Sequence, residues 1–308
     1  WNPSHFLDVA EMTNAAAIGY DWLYKDLSPE DRRRIRRVLI RLGLQPGVRA
    51  YRTGRQGWWR KSSHNWNQVC NAGLLNGALA VAETDPNYAR AIIPAAVASL
   101  PRALDTYAPD GAWPEGPGYW GYATRYTVFG LAALETALGR DFGLSGMPGL
   151  NRCGDFPTLC HGPTGLYLNY ADCSMRARRR PLPSLFWLGR RYDRPRWIAS
   201  EHQALLGDRA DARHVIWYQP PPAAGQIGSR PLDKRFRGPV EVAVFRSAWE
   251  DPNALFAGVK AGYNQVNHGH LDLGNFELDA GGVRWARDLG SDRSEERRVG
   301  KECVSECR

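Results

Sequence analysis

Cysteine, long apolar runs and internal repeats are all scarce in this chain of 308 residues. Two of its six cysteines, Cys303 and Cys307, fall in a terminal segment treated below. The other four, Cys70, Cys153, Cys160 and Cys173, match no zinc-ligand spacing. Four thiols in so long a chain are also too few for a disulfide scaffold. Free thiols are expected, with a Cys153–Cys160 bridge as the weaker alternative. No stretch approaches the roughly 18 uncharged apolar residues that suggest a membrane span. No fixed period marks a helical array, and no nucleic-acid motif accompanies the basic charge. No signal peptide is visible, but the chain opens at Trp1, so that absence says nothing about location.

What is present is basic and aromatic. Lys and Arg number 40 against 32 Asp and Glu, a formal charge of +8, with 43% hydrophobic and 23% charged residues. That balance belongs to a soluble globular chain, long enough for one large domain or two ordinary ones. The 12 Trp and 13 Tyr stand out, and ordinary core packing on a solvated basic chain explains only part of them. Aromatic faces on a basic chain suit stacking against sugars or bases, with cations attracting an anionic polymer.

The last sixteen residues, Arg293 to Arg308, differ in character from the rest. The eleven from Arg293 to Cys303 match the reading-frame translation of a common sequencing adapter. The segment is expected to be non-native and poorly packed, with native sequence continuing beyond Asp292. Without it the chain has 35 Lys plus Arg against 28 Asp plus Glu, or +7. The spacing of Cys303 and Cys307 then carries no metal or redox meaning.

The first two thirds read as helix. Ser28-Pro29-Glu30-Asp31 is a start signal, with a hydroxyl cap, Pro at the first position and acids in the first turn. Ile35, Val38, Leu39 and Leu42 follow at helical spacing until Gly43, read as a stop. Further helices are predicted over 8–24, 67–84, from Pro86 to near Tyr107, and over 119–138. Long helices joined by short turns favour an α/α toroid or solenoid. After Tyr218, a Pro- and Gly-rich stretch reads as linker. Beyond it, 240–245, 255–259, 276–278 and 283–285 read as antiparallel strands. The predicted organisation is an α/α toroid over 1–218, a linker over 219–236, an incomplete β-sandwich over 237–292 and the terminal segment 293–308. Helices followed by strands place the fold in the multidomain α-then-β class.

Three clusters carry the chemistry. Ser63 to Gly73 gathers His64, Asn65, Trp66, Asn67 and Gln68 at a helix start, where an ordinary amide cap is the plain reading. Asp110 to Tyr122 is a Gly- and Pro-shaped loop projecting Glu115, Tyr119 and Tyr122, otherwise a structural turn. Asn267 to Phe276 contains His268 and His270, which an extended strand would turn to one side. Such a pair suits a metal ligand beside a catalytic group.

Together these clusters resemble the heparinase II/III-like polysaccharide lyases, a superfamily that includes alginate lyases. The resemblance covers nearly all of residues 5–292. It is most specific over Asn267 to Leu278, Gly282-Val283-Arg284-Trp285 and Asp288-Leu289-Gly290. It implies an α/α toroid followed by a β-sandwich, and cleavage of acidic polysaccharides by β-elimination beside a uronic acid. It also implies a periplasmic or secreted setting. Elimination requires neutralising the uronate carboxylate, removing the C5 proton and protonating the departing O4. The resemblance assigns Tyr119 as acid and conceivably base, His268 as the opposing base, and His64 with Asn65 as carboxylate neutralisers. Trp66, Asn67, Glu115, Tyr122, Arg125 and Asn267 are the accompanying candidates for substrate contact. His270 and Asp288 match two ligands of a structural zinc site in the family, and no His follows Asp288 to complete it.

Two readings compete. An inverting glycoside hydrolase would use Asp110 and Glu115 as its carboxylate pair. A non-catalytic binder of acidic glycans would keep the arginines and tryptophans without needing Tyr119 and His268. Eight arginines between Arg176 and Arg196 suit attraction of a polyanion, or a solvated helix face.

Overall fold

The computed structural model describes residues 1–290. The adapter-like segment Arg293–Arg308 therefore lies outside the described residues. The helical part precedes a five-stranded antiparallel sheet, the order read from the sequence. No helix among the described residues is long and apolar enough to cross a membrane. Contacts divide the chain into two compact units, one of Trp1–Asp105 with Ala123–Met147 and one of Thr106–Tyr122 with the residues from Pro148 onward.

The first unit holds α1 (Phe6–Trp22), α2 (Pro29–Val38), α3 (Gln45–Thr53), α4 (Asn65–Ala80), α5 (Pro86–Ser99), α6 (Pro101–Leu104) and most of α7 (Gly116–Leu138). Ser28 caps α2 as expected, accepting from the Asp31 N–H at 3.1 Å. Gly43 is not a stop. The chain runs on through a π-helical turn, Leu39–Leu44, into α3, and ends at Gly54 in the left-handed region. A Cβ at Gly43 would meet the Thr13 hydroxyl at 2.3 Å, so the residue permits close packing on α1. Gly73 does the same for α4, where a Cβ would strike the Ala10 carbonyl at 2.3 Å. The helix predicted from Pro86 to Tyr107 is broken in two places, because Pro101 restarts the chain as α6 and a 3₁₀ turn follows. Polar pairs stitch the helices. Asn76 donates to Asn14 at 2.7 Å, and Gln68 to Thr127 at 3.1 Å.

The second unit contains short helices α8 (Asp155–Leu159), α9 (Ser184–Arg191), α10 (Pro195–Leu205), α11 (Ala212–Ile216) and α12 (Ala224–Ile227). Strands β1 (Asp233–Phe236), β2 (Val240–Arg246), β3 (Phe256–Gly262), β4 (Phe276–Ala280) and β5 (Val283–Ala286) pair in sequence order. The stretch read as linker thus supplies α12 and β1. The Lys234 and Arg235 of β1 hid it, and charge is common on an edge strand. Val240, Val242 and Val244 alternate inward along β2. β4 inverts the hydrophobic expectation, burying Glu277 and Asp279 while Phe276 is exposed. All four described cysteines are buried free thiols, so Cys153 and Cys160 form no bridge.

Arg284 of β5 explains the inversion. Its guanidinium donates to Glu277 and Asp279, and to the carbonyls of Tyr167 and Leu166 at 3.1 Å each. Thr164 adds a bond to Asp279 at 2.6 Å. Burial pushes the Glu277 carboxyl up to about 7, although Arg284 beside it pulls the other way. An ordinary glutamate loses its proton near 4.5. The folded chain therefore holds this proton more tightly than the unfolded chain. The resulting contribution to stability is complete below pH 4.5 and is lost as pH rises through about 7. Denaturation midpoints across this range should fall less steeply with rising pH in Glu277→Gln than in the parent. Parallel profiles for the two proteins would contradict the assignment.

Candidate active site

The second unit brings the acid-loop and His-x-His clusters together. Gly116, at φ 84°, begins α7. A Cβ there would meet the Tyr170 carbonyl oxygen at 2.5 Å. Tyr170 in turn donates its hydroxyl to the Trp113 carbonyl at 2.6 Å. The loop bearing Glu115 and Tyr119 is thereby fixed against the segment 170–173. Tyr119 then projects from the first turn of α7 and stacks on His268, with ring centroids 4.2 Å apart and planes within 17°. Tyr122 lies one turn on, its ring 6.4 Å from that of Tyr119.

His268 and His270 do not sit on a strand. They occupy the loop between β3 and β4, and His268 takes a left-handed backbone at φ 59°. His is one of the few side chains that enters this region with some frequency. The two imidazoles nevertheless share a partner. Asp172 engages His268 Nδ1 through Oδ2 at 2.6 Å and His270 Nε2 through Oδ1 at 3.1 Å. Nothing in the sequence pattern marked Asp172. Its neighbour Ala171 is held at φ 56°, a backbone that an alanine in sequence does not announce.

Glu115 is fully buried. Its Oε2 accepts from Trp113 Nε1 at 3.1 Å and its Oε1 from Asn267 Nδ2 at 2.6 Å. The same Oε1 lies 3.7 Å from His268 Nε2. His268 is thus flanked by Asp172 on one nitrogen and by Glu115 near the other. With Nδ1–H donated to Asp172, the neutral tautomer leaves the Nε2 lone pair available as a base.

Asp110 serves another purpose. Both of its oxygens are engaged by Arg237, at 2.8 Å from Nε, and by Arg152, at 2.9 Å. The Arg237 hydrogen bond, above all, holds its carboxyl at about 2, below the usual carboxylate range. It ties the loop to the chain entering β2. A hydrolase pair of Asp110 and Glu115 would need one of them to carry a proton at working pH, which these cations oppose at Asp110.

The helix-start cluster lies on the first unit. His64 is the residue preceding α4 and makes no side-chain cap, and neither Asn65 nor Asn67 caps the helix. Asn65 is buried. Asn67 is also buried, its amide donating to the Trp59 carbonyl at 3.2 Å and to Ser99 Oγ at 3.1 Å. Asn67 thereby anchors α4 to its neighbours. Trp66 packs between His5 and Trp58, with centroids 4.9 and 4.7 Å away. Arg125 follows on α7 and is partly exposed.

His270 and Asp288, the two expected zinc ligands, each have protein partners. Among the described residues, no group of three His, Cys, Asp or Glu is gathered to hold an ion. His270 directs Nε2 at Asp172, and Asp288 accepts from Asn275 and from the Gly290 N–H.

No protein-family model matches the chain, and no curated protein sequence matches it. Solved structures do. Two structures of a heparinase III gene product, the second with methylated lysines, superpose with TM-scores of 0.63 and 0.61 at 15% identity. A mutant of the heparan sulfate lyase HepC from Pedobacter heparinus superposes with a TM-score of 0.58 at 16% identity. Each match covers 98% of this chain and 43% of the other. The chain therefore has a heparinase-like polysaccharide lyase fold, and it spans less than half the length of the structures it resembles.

The stack of Tyr119 on His268 has a spectroscopic consequence. The tyrosine ring current should move the His268 ring-proton resonances upfield. Tyr119→Leu should abolish that displacement, and Asp172→Ala should reduce it by releasing the imidazole. Unchanged His268 resonances in both variants would show that neither residue orients the ring.

Proposed function

We propose that this chain carries the proton-transfer apparatus of a polysaccharide lyase that cleaves uronate-containing acidic polysaccharides by β-elimination. The observation that supports it most is the stacked Tyr119–His268 pair with Asp172 behind the imidazole. The heparinase-like fold supports the reaction class.

In the proposed reaction the C5–H bond breaks and its proton passes to His268 Nε2, with Tyr119 starting as the neutral phenol, or to the Tyr119 oxygen, with Tyr119 starting as the phenolate. The electron pair left on C5 forms the C4=C5 double bond. The C4–O4 bond breaks, and O4 leaves with a proton from Tyr119. Which residue takes the C5 proton depends on the configuration at C5. Asp172 holds the imidazole and its tautomer, and Glu115 fixes Asn267 beside it. His64 and Asn65 are proposed as donors to the uronate carboxylate, where they would stabilise enolate character as it develops. Trp66, Tyr122, Arg125 and Asn267 are proposed as further substrate contacts. Zinc remains a proposal for a longer chain, with His270 and Asp288 supplying two ligands and others coming from outside the described residues. A periplasmic or secreted setting belongs to the same proposal, since a polymeric substrate is met outside the cell.

Elimination leaves a conjugated unsaturated uronate that absorbs in the ultraviolet, whereas hydrolysis or simple binding does not. Digestion of heparan sulfate, alginate and other uronate polymers should produce that absorbance with at least one of them. Tyr119→Phe removes one hydroxyl and keeps the stacking ring. It should lower turnover by roughly 100- to 10,000-fold while KM changes little. Cleavage without the ultraviolet product, or near-normal turnover in Tyr119→Phe, would defeat the proposal.

A further inference from the structure

Of the eight arginines, Arg190, Arg191 and Arg196 lie on α9 and α10, whereas Arg176 to Arg180 lie outside any helix. Residues 177–179 run extended and antiparallel to 165–167. The Leu166–Arg178 bridge and the bonds Tyr167 N–H to Ala177 O (3.0 Å) and Arg179 N–H to Gly165 O (3.0 Å) define the pairing. Side chains on such a segment alternate between two faces. Arg179 turns inward and is almost wholly buried, paired with Glu201 at 2.8 Å. Arg176, Arg178 and Arg180 are all exposed. Arg178 also donates from its guanidinium Nη1 to the Thr164 carbonyl at 2.7 Å, which holds the head in place with its other nitrogens outward.

The inward ion pair gives the outward row its register, because a one-residue slip would exchange Arg179 with its neighbours. Arg178 and Arg180 lie about 6.6 Å apart along extended chain, and Arg176 sits in the Ser174–Ala177 turn that leads into it. Pro181 and Pro183 follow directly and restrict the backbone, so little order need be gained on binding. The row begins four residues after Asp172, the residue that holds His268.

We infer that Arg176, Arg178 and Arg180 form an accessory binding strip for an acidic polysaccharide, adjoining the candidate active site on the same unit. The inference rests on the proposed function only for the identity of the polymer. Three exposed cations on one short, ordered segment suit a chain that carries an acid on successive sugars. Bases need stacking partners, and no aromatic residue occurs between Ser174 and Ser184. A polysaccharide therefore fits this strip better than single-stranded nucleic acid. By holding the polymer beside the site, the strip favours long substrates over short ones.

The test is binding, measured without turnover. Heparin and alginate would be titrated against the full chain and against Arg176→Gln/Arg178→Gln/Arg180→Gln at several salt concentrations. Far-ultraviolet circular dichroism would verify the fold. Arg176→Gln/Arg180→Gln, which retains the Arg178–Thr164 bond, serves if the triple variant is unstable. The parent should bind at least one polymer, with affinity falling as salt rises. The triple variant should bind about tenfold more weakly or worse, with a log affinity–log salt slope shallower by about 2 to 3. The double variant should show a change of about 2. Replacing all three by Lys should retain most of the binding. Absence of binding by the parent, or equal binding by the neutralised variants, would overturn the strip whatever the ultraviolet assay shows. Equal affinity for single-stranded DNA of matched charge would overturn the assignment to polysaccharide. Loss of the ultraviolet product with the strip's salt dependence intact would instead count against the lyase reading alone.

Discussion

The buried guanidinium of Arg284 is the interaction on which the second unit depends. It joins two adjacent strands, through Glu277 and Asp279, to the carbonyls of Leu166 and Tyr167. Removing one partner of such a network leaves charge buried without compensation, which is costlier than never having built it. The network also explains why β4 turns its acids inward and leaves Phe276 in solvent. Glu277 extends the connection by accepting from the Asn169 N–H at 3.3 Å. The segment 164–169 is thereby bound to the sheet at several points.

That attachment positions the chemistry. The chain leaving Asn169 passes through Tyr170, which supports the acid loop, and Ala171, which turns it, to Asp172. Asp172 holds two imidazoles, and one of them lies flat against Tyr119. Beyond Cys173 the same strand of chain presents the outward arginines. A single buried ionic network thus underlies the proposed proton-transfer pair and the proposed binding strip, without touching either directly.

Much of this was legible in the sequence. The Ser28 cap, the helical period and the order of helices before strands follow from local rules. Tyr119 and His268 were brought together by resemblance and are stacked in the structure. Other features depend on contacts that no local pattern records. Gly43 resembles a helix stop, but its partner is Thr13 on another helix. The pair His268 and His270 reads as a strand by alternation, yet the loop achieves the shared orientation through Asp172. Asp172 itself has no motif, because its role exists only after the segment 164–173 is bound to the sheet. Asn67 reads as a site amide in sequence, and its bond to Ser99 forms only once α4 packs on its neighbours. β1 was missed because its charges suit an edge, and a linker has similar composition.

The most direct measurement is a structure of the protein with a uronate oligosaccharide bound. The account predicts a sugar at the Tyr119–His268 pair, with the glycosidic O4 about 3 Å from the Tyr119 hydroxyl and C5 facing His268 Nε2 or that hydroxyl. An oligosaccharide seated elsewhere, with Tyr119 and His268 uncontacted, would contradict it.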